Sequence, residues 1–187
     1  MKSRLRLSGI AAAVMLLTAG LTGTATASVE TPATGGVTIK GDPQYKWIKS
    51  AWSGQCVALP GGTTDAGAQV IQWPCGAFND HFWILKYAFT QGSTSYYQAV
   101  NLNSGQCLGV QGGSTDAGAP VIQWPCGDYH DHYWGLVPDK YGSRLKNLNS
   151  QQCLTIPGGT GGRGVGLIQW PCGDQIDQVW NWTAATP

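Results

Sequence analysis

Short apolar segments alternate with turns rich in glycine and proline along the chain from residue 45 onward. The segments "SGQCVAL", "AQVIQW" and "HFWILKY" are followed by "PGG" at 60–62, by "PCG" at 74–76 and by the polar "QGST" at 91–94. Brief apolar runs bounded by such turns are typical of β-strands, and no stretch of ten or more residues has the period of a helix. The pattern therefore predicts an all-β fold.

The sequence repeats itself three times with fixed landmarks. The phrase "VIQWPCG" at residues 70–76 returns at 121–127 and, as "LIQWPCG", at 167–173. In each copy the second cysteine follows the first by 19 positions, one tryptophan stands two residues before that second cysteine, and another stands eight residues after it. The offsets between copies are 51 and 46 residues, so any insertion falls between the landmarks of one copy and the next.

Three copies of about four strands each predict about twelve short strands. A threefold closed arrangement would leave no open sheet edge. We place the copies at about residues 45–92, 93–140 and 141–187. The tryptophan after the second cysteine is flanked by apolar residues in every copy and is predicted to form the core, with one indole from each lobe: Trp83, Trp134 and Trp180.

The first 27 residues have the features of a secretory signal peptide, because basic residues precede an apolar run and the segment ends in "ATA". The apolar run is shorter than the ~20 residues needed to cross a bilayer, and no later run is longer. Residues 28–44 are predicted to be a flexible lead-in to a folded domain at 45–187. We therefore expect a secreted, extracellular protein without membrane insertion.

Charge is sparse and excludes some functions. Beyond the signal peptide, 8 lysines and arginines stand against 10 acidic residues, a net charge of −2, so no polybasic surface for nucleic acid is expected. Glu30 is the only glutamate, and the aspartates are distributed one lobe at a time, whereas glycoside hydrolysis usually needs two facing carboxylates. No Gly-x-Ser-x-Gly motif is present. We predict no catalytic residues.

The six cysteines could hold a metal or form disulfides. A zinc site needs ligands clustered at short spacing, whereas the paired cysteines lie 19 positions apart and the chain has three histidines, so no metal or cofactor is predicted. Disulfides suit an exported protein. Of the 15 pairings that six cysteines allow, only one set respects the repeat. It joins Cys56 to Cys75, Cys107 to Cys126 and Cys153 to Cys172.

The motifs of the three copies resemble those of ricin B-type (R-type) lectin domains, in the secreted form common in actinomycete bacteria. The copies open with "CVAL", "CLGV" and "CLTI", continue with "IQWPC", and close with a Gln-x-Trp signature. That signature is kept at Gln178 and altered to begin with histidine at His81 and His132. The resemblance covers residues 45–187 and implies a β-trefoil that binds galactosides, xylan or other glycans without catalysis.

The resemblance also implies one sugar pocket in each lobe. A sugar presents an apolar C–H face and a ring of hydroxyls, so a pocket needs an aromatic ring and carboxylate or amide groups. Phe78 and Tyr129 are predicted as a second aromatic wall in the first two copies. The other implied residues are the stacking Trp73, Trp124 and Trp170, the polar Asp80, Asp131 and Asp177, and the signature residues His81, His132 and Gln178.

The chain departs from the family's pattern in every copy. Where sugar-binding members commonly have an anchoring aspartate, this chain has Ala58, Gly109 and Thr155. A family glutamine two positions before the stacking aromatic is also replaced, by Ile71, Ile122 and Ile168. Two interpretations follow. Either the remaining aspartate of each lobe takes over the hydroxyl contacts, or it stabilises its own loop while the tryptophan is half-buried packing.

The copies also differ from one another. The third has "TGGRGVG" in place of "TTDAGAQ" and lacks the second aromatic wall, so the first two are expected to be the better sites. Asp65 and Asp116, in "TDAG", are predicted to form turns, with a lesser prospect of touching ligand. Trp52 stands where the other copies have Asn103 and Asn149, and the sequence assigns it no role beyond that of an exposed contact.

Two functions therefore follow from the sequence. The first is a monomeric lectin whose partners are glycans or polysaccharides. The alternative is a protein-binding trefoil, such as a secreted protease inhibitor, that uses protruding loops in place of pockets, because one fold can serve several functions.

Overall fold

The structure, a computed structural model, describes residues 45–184 and contains thirteen β-strands. The strands are β1 (Tyr45–Ser50), β2 (Cys56–Ala58), β3 (Ile71–Trp73), β4 (Trp83–Gln91), β5 (Thr94–Asn101), β6 (Cys107–Val110), β7 (Val121–Trp124), β8 (Trp134–Asp139), β9 (Gly142–Asn147), β10 (Cys153–Thr155), β11 (Val165–Gly166), β12 (Ile168–Trp170) and β13 (Val179–Ala184). Six single-turn 3-10 helices join them, two in each lobe, and the described residues contain no α-helix. The all-β prediction is confirmed, and the strand beyond the expected twelve is the two-residue β11.

The predicted signal peptide and lead-in lie outside the described residues, as do the last three residues of the expected domain.

Six of the strands close into a barrel. β1 pairs with β13, β13 with β9, β9 with β8, β8 with β5, β5 with β4, and β4 with β1, all antiparallel. The hairpins β2–β3, β6–β7 and β10–β12 each attach to one barrel strand, which is β1, β5 or β9. Each lobe thus supplies two barrel strands and one hairpin. This arrangement is a β-trefoil, and its closure leaves the barrel without an open edge.

One tryptophan from each lobe occupies the core, as the flanking apolar residues predicted. Trp83, Trp134 and Trp180 are 0% exposed and pack among aliphatic side chains of all three lobes. Trp83 donates its indole N–H to the carbonyl of Val57 at 3.0 Å, and the other two make the equivalent bond within their lobes at 2.9 and 3.0 Å. A buried indole therefore leaves no polar atom unpaired while it fills the barrel.

The three lobes meet at the first residue of each seven-residue phrase. The backbone N–H of Val70 donates to the carbonyl of Val121, that of Val121 to Leu167, and that of Leu167 to Val70, at 2.9–3.0 Å. All three side chains are fully buried. These bonds form a closed ring around the threefold axis, so the phrase recurs because each lobe must supply one member of the ring.

The glutamine of each phrase is also fully buried, and it joins two lobes. Gln123 donates from Nε2 to the carbonyls of Thr63 and Asp65 in the first lobe, at 3.0 and 2.9 Å. Its Oε1 accepts a bond from the Ser104 hydroxyl at 2.7 Å. Gln72 and Gln169 donate in the same way to loops of the third and second lobes, and each accepts a bond at Oε1 from a serine of its own lobe. Since every polar atom of these carboxamides is paired, they lock each hairpin to its neighbour's loop.

The lobes differ most in the hairpin that links the first to the second. β4 and β5 are nine and eight residues long, whereas β8 and β9 have six residues each. Trp83 pairs with Asn101, 18 residues later, and Trp134 pairs with Asn147, 13 residues later. This difference of five residues accounts for the difference between the copy offsets of 51 and 46. The insertion therefore lies between the landmarks, as predicted.

The structure forms the three disulfides that the repeat predicted. Cys56 is bonded to Cys75, Cys107 to Cys126, and Cys153 to Cys172, and the described residues contain no free cysteine. Each bond ties the first strand of a hairpin to the turn that follows its second strand. A closed loop of this length stabilises the fold by roughly 3 kcal/mol in the chain-entropy estimate.

We predict that Gln123→Leu lowers the free energy of unfolding by about 3 kcal/mol, because leucine removes both bonds to the first lobe and leaves the Thr63 carbonyl and the hydroxyl hydrogen of Ser104 without their partner. Urea unfolding followed by circular dichroism measures the loss. Gln91→Leu, at an exposed position, is the matched control and should change stability by less than about 0.5 kcal/mol. A loss at position 123 no larger than in the control would contradict the assigned role.

Candidate functional site

Each lobe carries one pocket beside its hairpin, with a volume of about 480, 540 and 520 Å³ in the first, second and third lobe. The pockets share five kinds of residue: a turn glycine, a strand isoleucine, the predicted tryptophan, the predicted aspartate, and the signature residue. These are Gly62, Ile71, Trp73, Asp80 and His81 in the first, Gly113, Ile122, Trp124, Asp131 and His132 in the second, and Gly159, Ile168, Trp170, Asp177 and Gln178 in the third. Phe78 and Tyr129 line the first two. All eleven residues predicted from the sequence therefore lie in these pockets.

A further cavity, of about 700 Å³ beside the β4–β5 hairpin, contains none of them.

The pocket tryptophans are open to solvent. Trp73, Trp124 and Trp170 are 40%, 44% and 48% exposed, in contrast to the buried core tryptophans. The register of the hairpins places each opposite the first cysteine of its lobe, as Trp73 pairs with Cys56. Each indole can therefore present part of its surface to a ligand.

A glycine of a neighbouring lobe lies against each of these indoles. Gly67 of the first lobe has φ of +86°, and a Cβ on it would lie 3.6 Å from Cζ3 of Trp124. Gly118 and Gly164 meet the tryptophans of the third and first lobes in the same way, with φ of +87° and +73°. Only glycine adopts this left-handed conformation readily. The glycines of "TDAG" and its third-copy counterpart thus position the indoles, a role that the sequence analysis missed.

The second wall forms in the first two pockets only. Phe78 and Tyr129 are exposed, and each ring meets the signature histidine edge to face, with centroids 5.3 and 5.1 Å apart. A side chain on Gly76, the last residue of the phrase, would collide with the Phe78 ring at 2.6 Å. Gln175 takes this position in the third pocket. The third pocket therefore has a single aromatic face within its own lobe.

The aspartates line the pockets and also stabilise their loops. Asp80 accepts a bond at Oδ2 from the backbone N–H of Leu59 at 3.3 Å, and Asp131 accepts one from Val110 at 3.1 Å. The other oxygen of Asp80, Oδ1, faces Gly62 on the pocket side. In the third lobe, burial raises the pKa of Asp177, partly opposed by a hydrogen bond from its own backbone amide. The two interpretations of these carboxylates are thus compatible in the first two lobes.

The signature residues of the first and third lobes hold the turn that ends the phrase. Gln178 accepts a bond at Oε1 from the N–H of Gly173 at 2.9 Å and donates from Nε2 to Pro171 at 3.0 Å. In the first lobe the imidazole of His81 takes over part of this role, since its Nδ1 accepts a bond from Gly76 N–H at 3.2 Å. His81 Nε2 then faces the Asp80 carboxylate at 3.6 Å. These side chains therefore shape the pocket from its floor.

In the second lobe the histidine explains why the anchoring aspartate is absent. A Cβ on Gly109 would lie 2.7 Å from Cδ2 of His132, so an aspartate at 109 would displace the ring. His132 Nε2 lies 3.8 Å from Asp131 Oδ2, and this Asp–His pair occupies the floor of the second pocket. In the third lobe, where glutamine replaces histidine, Thr155 reaches the pocket. The glycine at position 109 is therefore matched to the histidine of the same lobe, a pairing that the sequence analysis did not predict.

Both pocket histidines are held neutral near pH 7. Burial lowers the pKa of His81 and of His132 below the usual histidine value, and the adjacent aspartate, Asp80 or Asp131, raises it in partial compensation. A neutral imidazole retains one hydrogen-bond acceptor and one donor, so His81 can accept from the Gly76 amide at Nδ1 while its Nε2 faces Asp80.

Trp52 proves to be a counterpart of the asparagines in the other copies. Asn103 and Asn149 donate from Nδ2 to the carbonyls of Gly62 and Gly113 at 2.8 Å, each at the rim of the preceding lobe's pocket. Trp52 donates its indole N–H to the carbonyl of Gly159 at 2.7 Å, at the rim of the third pocket.

Asp65 and Asp116 form turns, as predicted. The carbonyl of Asp65 accepts a bond from Ala68 N–H at 3.3 Å, and Asp116 bonds Ala119 in the same way. Neither side chain is among the pocket residues described above.

Two absences within residues 45–184 bear on the site. No group of three or more His, Cys, Asp or Glu side chains could hold a metal ion within this range. No helix in the same range is long and apolar enough to cross a membrane.

Comparison with known sequences assigns the family. The sequence model of the ricin-type β-trefoil lectin domain-like family matches residues 36–124 and 83–144, which together are more than half of the chain. The chain therefore belongs to this family, as its motifs indicated. No curated protein sequence matches it significantly.

Solved structures confirm the fold. The designed threefold symmetric protein ThreeFoil has a TM-score of 0.71 and 26% identity, over 76% of this chain and 99% of its own. The exo-β-1,3-galactanase 1,3Gal43A of Clostridium thermocellum has a TM-score of 0.71 and 20% identity, over 78% of this chain and 31% of its own. The C-half of an earthworm R-type lectin, solved in complex with GalNAc, has a TM-score of 0.58 and 14% identity, over 75% of this chain and 98% of its own. These likenesses show a β-trefoil.

We predict that acid destabilises the protein through His81 and His132. Because folding lowers both pKa values, the unfolded chain binds protons first as the pH falls below about 6.5, so stability is full above that pH and declines toward the lower folded pKa. The double variant with glutamine at both positions, the residue of the third lobe, should lose less stability between about pH 6.5 and 5. Thermal unfolding across this range measures the difference. Parallel curves for the two proteins would contradict the assignment.

Proposed function

We propose that the protein is a secreted lectin that binds glycans through its lobe pockets and catalyses no reaction. One observation carries the proposal: in every lobe an indole 40–48% exposed lines the same pocket as a carboxylate. Membership of the ricin-type lectin-like family supports the class of ligand. The sites are the eleven residues predicted from the sequence.

The first two pockets combine the groups that a pyranose requires. The apolar C–H face of the sugar stacks on Trp73 or Trp124, with Phe78 or Tyr129 as the opposite wall. The carboxylate uses Oδ2 to hold the backbone and offers its other oxygen to a sugar hydroxyl, as the orientation of Asp80 Oδ1 toward the pocket supports. The aspartate therefore serves both the loop and the ligand.

We propose galactosides or xylan-like polysaccharides as the ligands. The earthworm lectin was solved with GalNAc, and a galactanase shares the fold, so galactose-type sugars come first. Each pocket is shallow and should bind one sugar unit weakly. Engagement of two or three lobes by one branched or repetitive glycan can raise overall affinity by ~10²–10⁴-fold.

The cysteines and the N-terminal segment support a cellular location for the protein. Three disulfides in the described domain suit an oxidising, extracellular compartment, in keeping with the predicted signal peptide at residues 1–27. We propose a mature, monomeric protein of the actinomycete secreted type, with a lead-in at 28–44 and its lectin domain at 45–187.

A protein-binding trefoil, such as a secreted protease inhibitor, is the second candidate. The longer β4–β5 hairpin, with Tyr87 exposed upon it, favours this function, as does the loss of the anchoring aspartate at Ala58, Gly109 and Thr155. An inhibitor would present a loop to its target and would leave the lobe pockets unused.

A glycan array distinguishes the two candidates. We expect the mature protein to bind galactosides or xylan oligosaccharides, and soluble sugar of the same kind to compete. Saturable inhibition of a protease together with a silent array would favour the inhibitor and overturn the lectin proposal. Turnover of a panel of glycosides and esters by the pure protein would contradict the absence of catalysis.

We predict that Trp124→Ala reduces retention on a polysaccharide affinity column without unfolding the protein, because its ring is exposed and contributes little to the core. Asp131→Ala should also reduce retention, with some loss of stability from the bond to Val110. Tyr141→Ala, an exposed aromatic residue outside the pockets, is the control. Wild-type retention of both pocket variants would remove the second lobe as a site.

A further inference from the structure

Three equivalent side chains bridge the lobes in a cycle, and one of them differs in kind. Asn103 and Asn149 cross from one lobe to the Gly-Gly turn that rims the preceding pocket. Trp52 makes the same crossing from the first lobe to Gly159 of the third. All three side chains donate this hydrogen bond, but the donor is a small amide in Asn103 and Asn149 and an indole in Trp52.

The hydrogen bond alone does not account for the indole. Asparagine makes the same bond to a glycine carbonyl at 2.8 Å in the other two lobes, as against 2.7 Å for Trp52. The indole adds a large apolar ring that remains 53% exposed, more than any pocket tryptophan. A large exposed aromatic ring beside a pocket offers a further stacking surface for a ligand.

The position of Trp52 is fixed at both ends. Its indole N–H is bonded to Gly159, and its backbone N–H donates to the Ser50 hydroxyl at 3.1 Å. Ser50 is buried at the end of β1. An aromatic ring held in this way loses little conformational freedom when a ligand stacks on it.

The third pocket is the one that lacks a second aromatic residue from its own lobe. Gln175 replaces the ring that Phe78 and Tyr129 provide elsewhere, which leaves Trp170 as the one aromatic residue among those that line the pocket. Gly159 belongs to the same lining, so the Trp52 indole is bonded directly to the wall of this pocket. Trp52 therefore adds its ring at the rim of the third pocket, which has fewer aromatic residues of its own than the other two pockets.

We propose that Trp52 forms an extended subsite of the third lobe, which binds an oligosaccharide in preference to a single sugar. This inference rests on the proposed function. One sugar unit stacks on Trp170 in the pocket, and a following unit crosses the rim at Gly159 and stacks on Trp52. The ligand class is a neutral oligosaccharide of at least two units, recognised by two indoles from different lobes.

The test uses a protein in which the third lobe is the one intact pocket. Trp73→Ala and Trp124→Ala disable the first two pockets, and Trp52→Asn is then added, which keeps the rim hydrogen bond in the form that Asn103 and Asn149 use. Isothermal titration calorimetry with galactose, lactose, xylose and xylotetraose gives the affinity for one unit and for several. Melting temperatures verify that Trp52→Asn leaves the fold intact.

We expect Trp52→Asn to weaken oligosaccharide binding by about three- to tenfold relative to binding of the matching monosaccharide, the scale of one aromatic stacking contact. The reciprocal Asn149→Trp, placed where only the second pocket is intact, should strengthen oligosaccharide binding there. An unchanged ratio in Trp52→Asn would overturn the subsite while leaving the lectin intact. Failure of the parent protein, with all pockets intact, to bind any of the four sugars would overturn the proposed function and the subsite together.

Discussion

The buried carboxamides of Gln72, Gln123 and Gln169 are the interaction on which the rest of the structure depends. Each ties one lobe's hairpin to the loop of the lobe before it through two bonds from Nε2, while its Oε1 accepts a bond from a serine hydroxyl of its own lobe. The same loops carry the left-handed glycines that support the pocket indoles. Each pocket indole therefore lies against a glycine of a neighbouring lobe, and its position follows from the docking of the lobes.

This constraint explains why the seven-residue phrase recurs almost unchanged. Its first residue joins the ring of backbone bonds on the threefold axis, its second lines the pocket, and its third ties the lobes together. Its tryptophan forms the pocket wall, its cysteine closes the disulfide, and its final glycine admits the adjoining side chain. Because successive residues of a strand face opposite sides, neighbouring positions can meet structural and functional requirements at once.

Much of the fold could be predicted because it depends on local pattern and spacing. The turns bounded the strands, the offsets placed the five-residue insertion, and the apolar neighbours of Trp83 identified a core residue. The role of Gln72 could not be predicted, since a glutamine in a short strand looks the same whether it faces water or another lobe. The partnership of Gly109 with His132 and the bond from Trp52 to Gly159 join residues distant in sequence. The first pair lies within one lobe and becomes visible once that lobe folds, whereas the second becomes visible only when the lobes are docked.

The central claim is that the open indoles, and not the buried ones, receive the ligand. Two-dimensional ¹H–¹⁵N NMR of the nine tryptophan side chains tests it directly, because each indole N–H gives its own signal. On titration with a glycan that the protein retains, the signals of Trp73, Trp124 and Trp170 should shift while those of Trp83, Trp134 and Trp180 stay in place. Binding that leaves the NMR signals of the three pocket indoles unshifted would contradict the account.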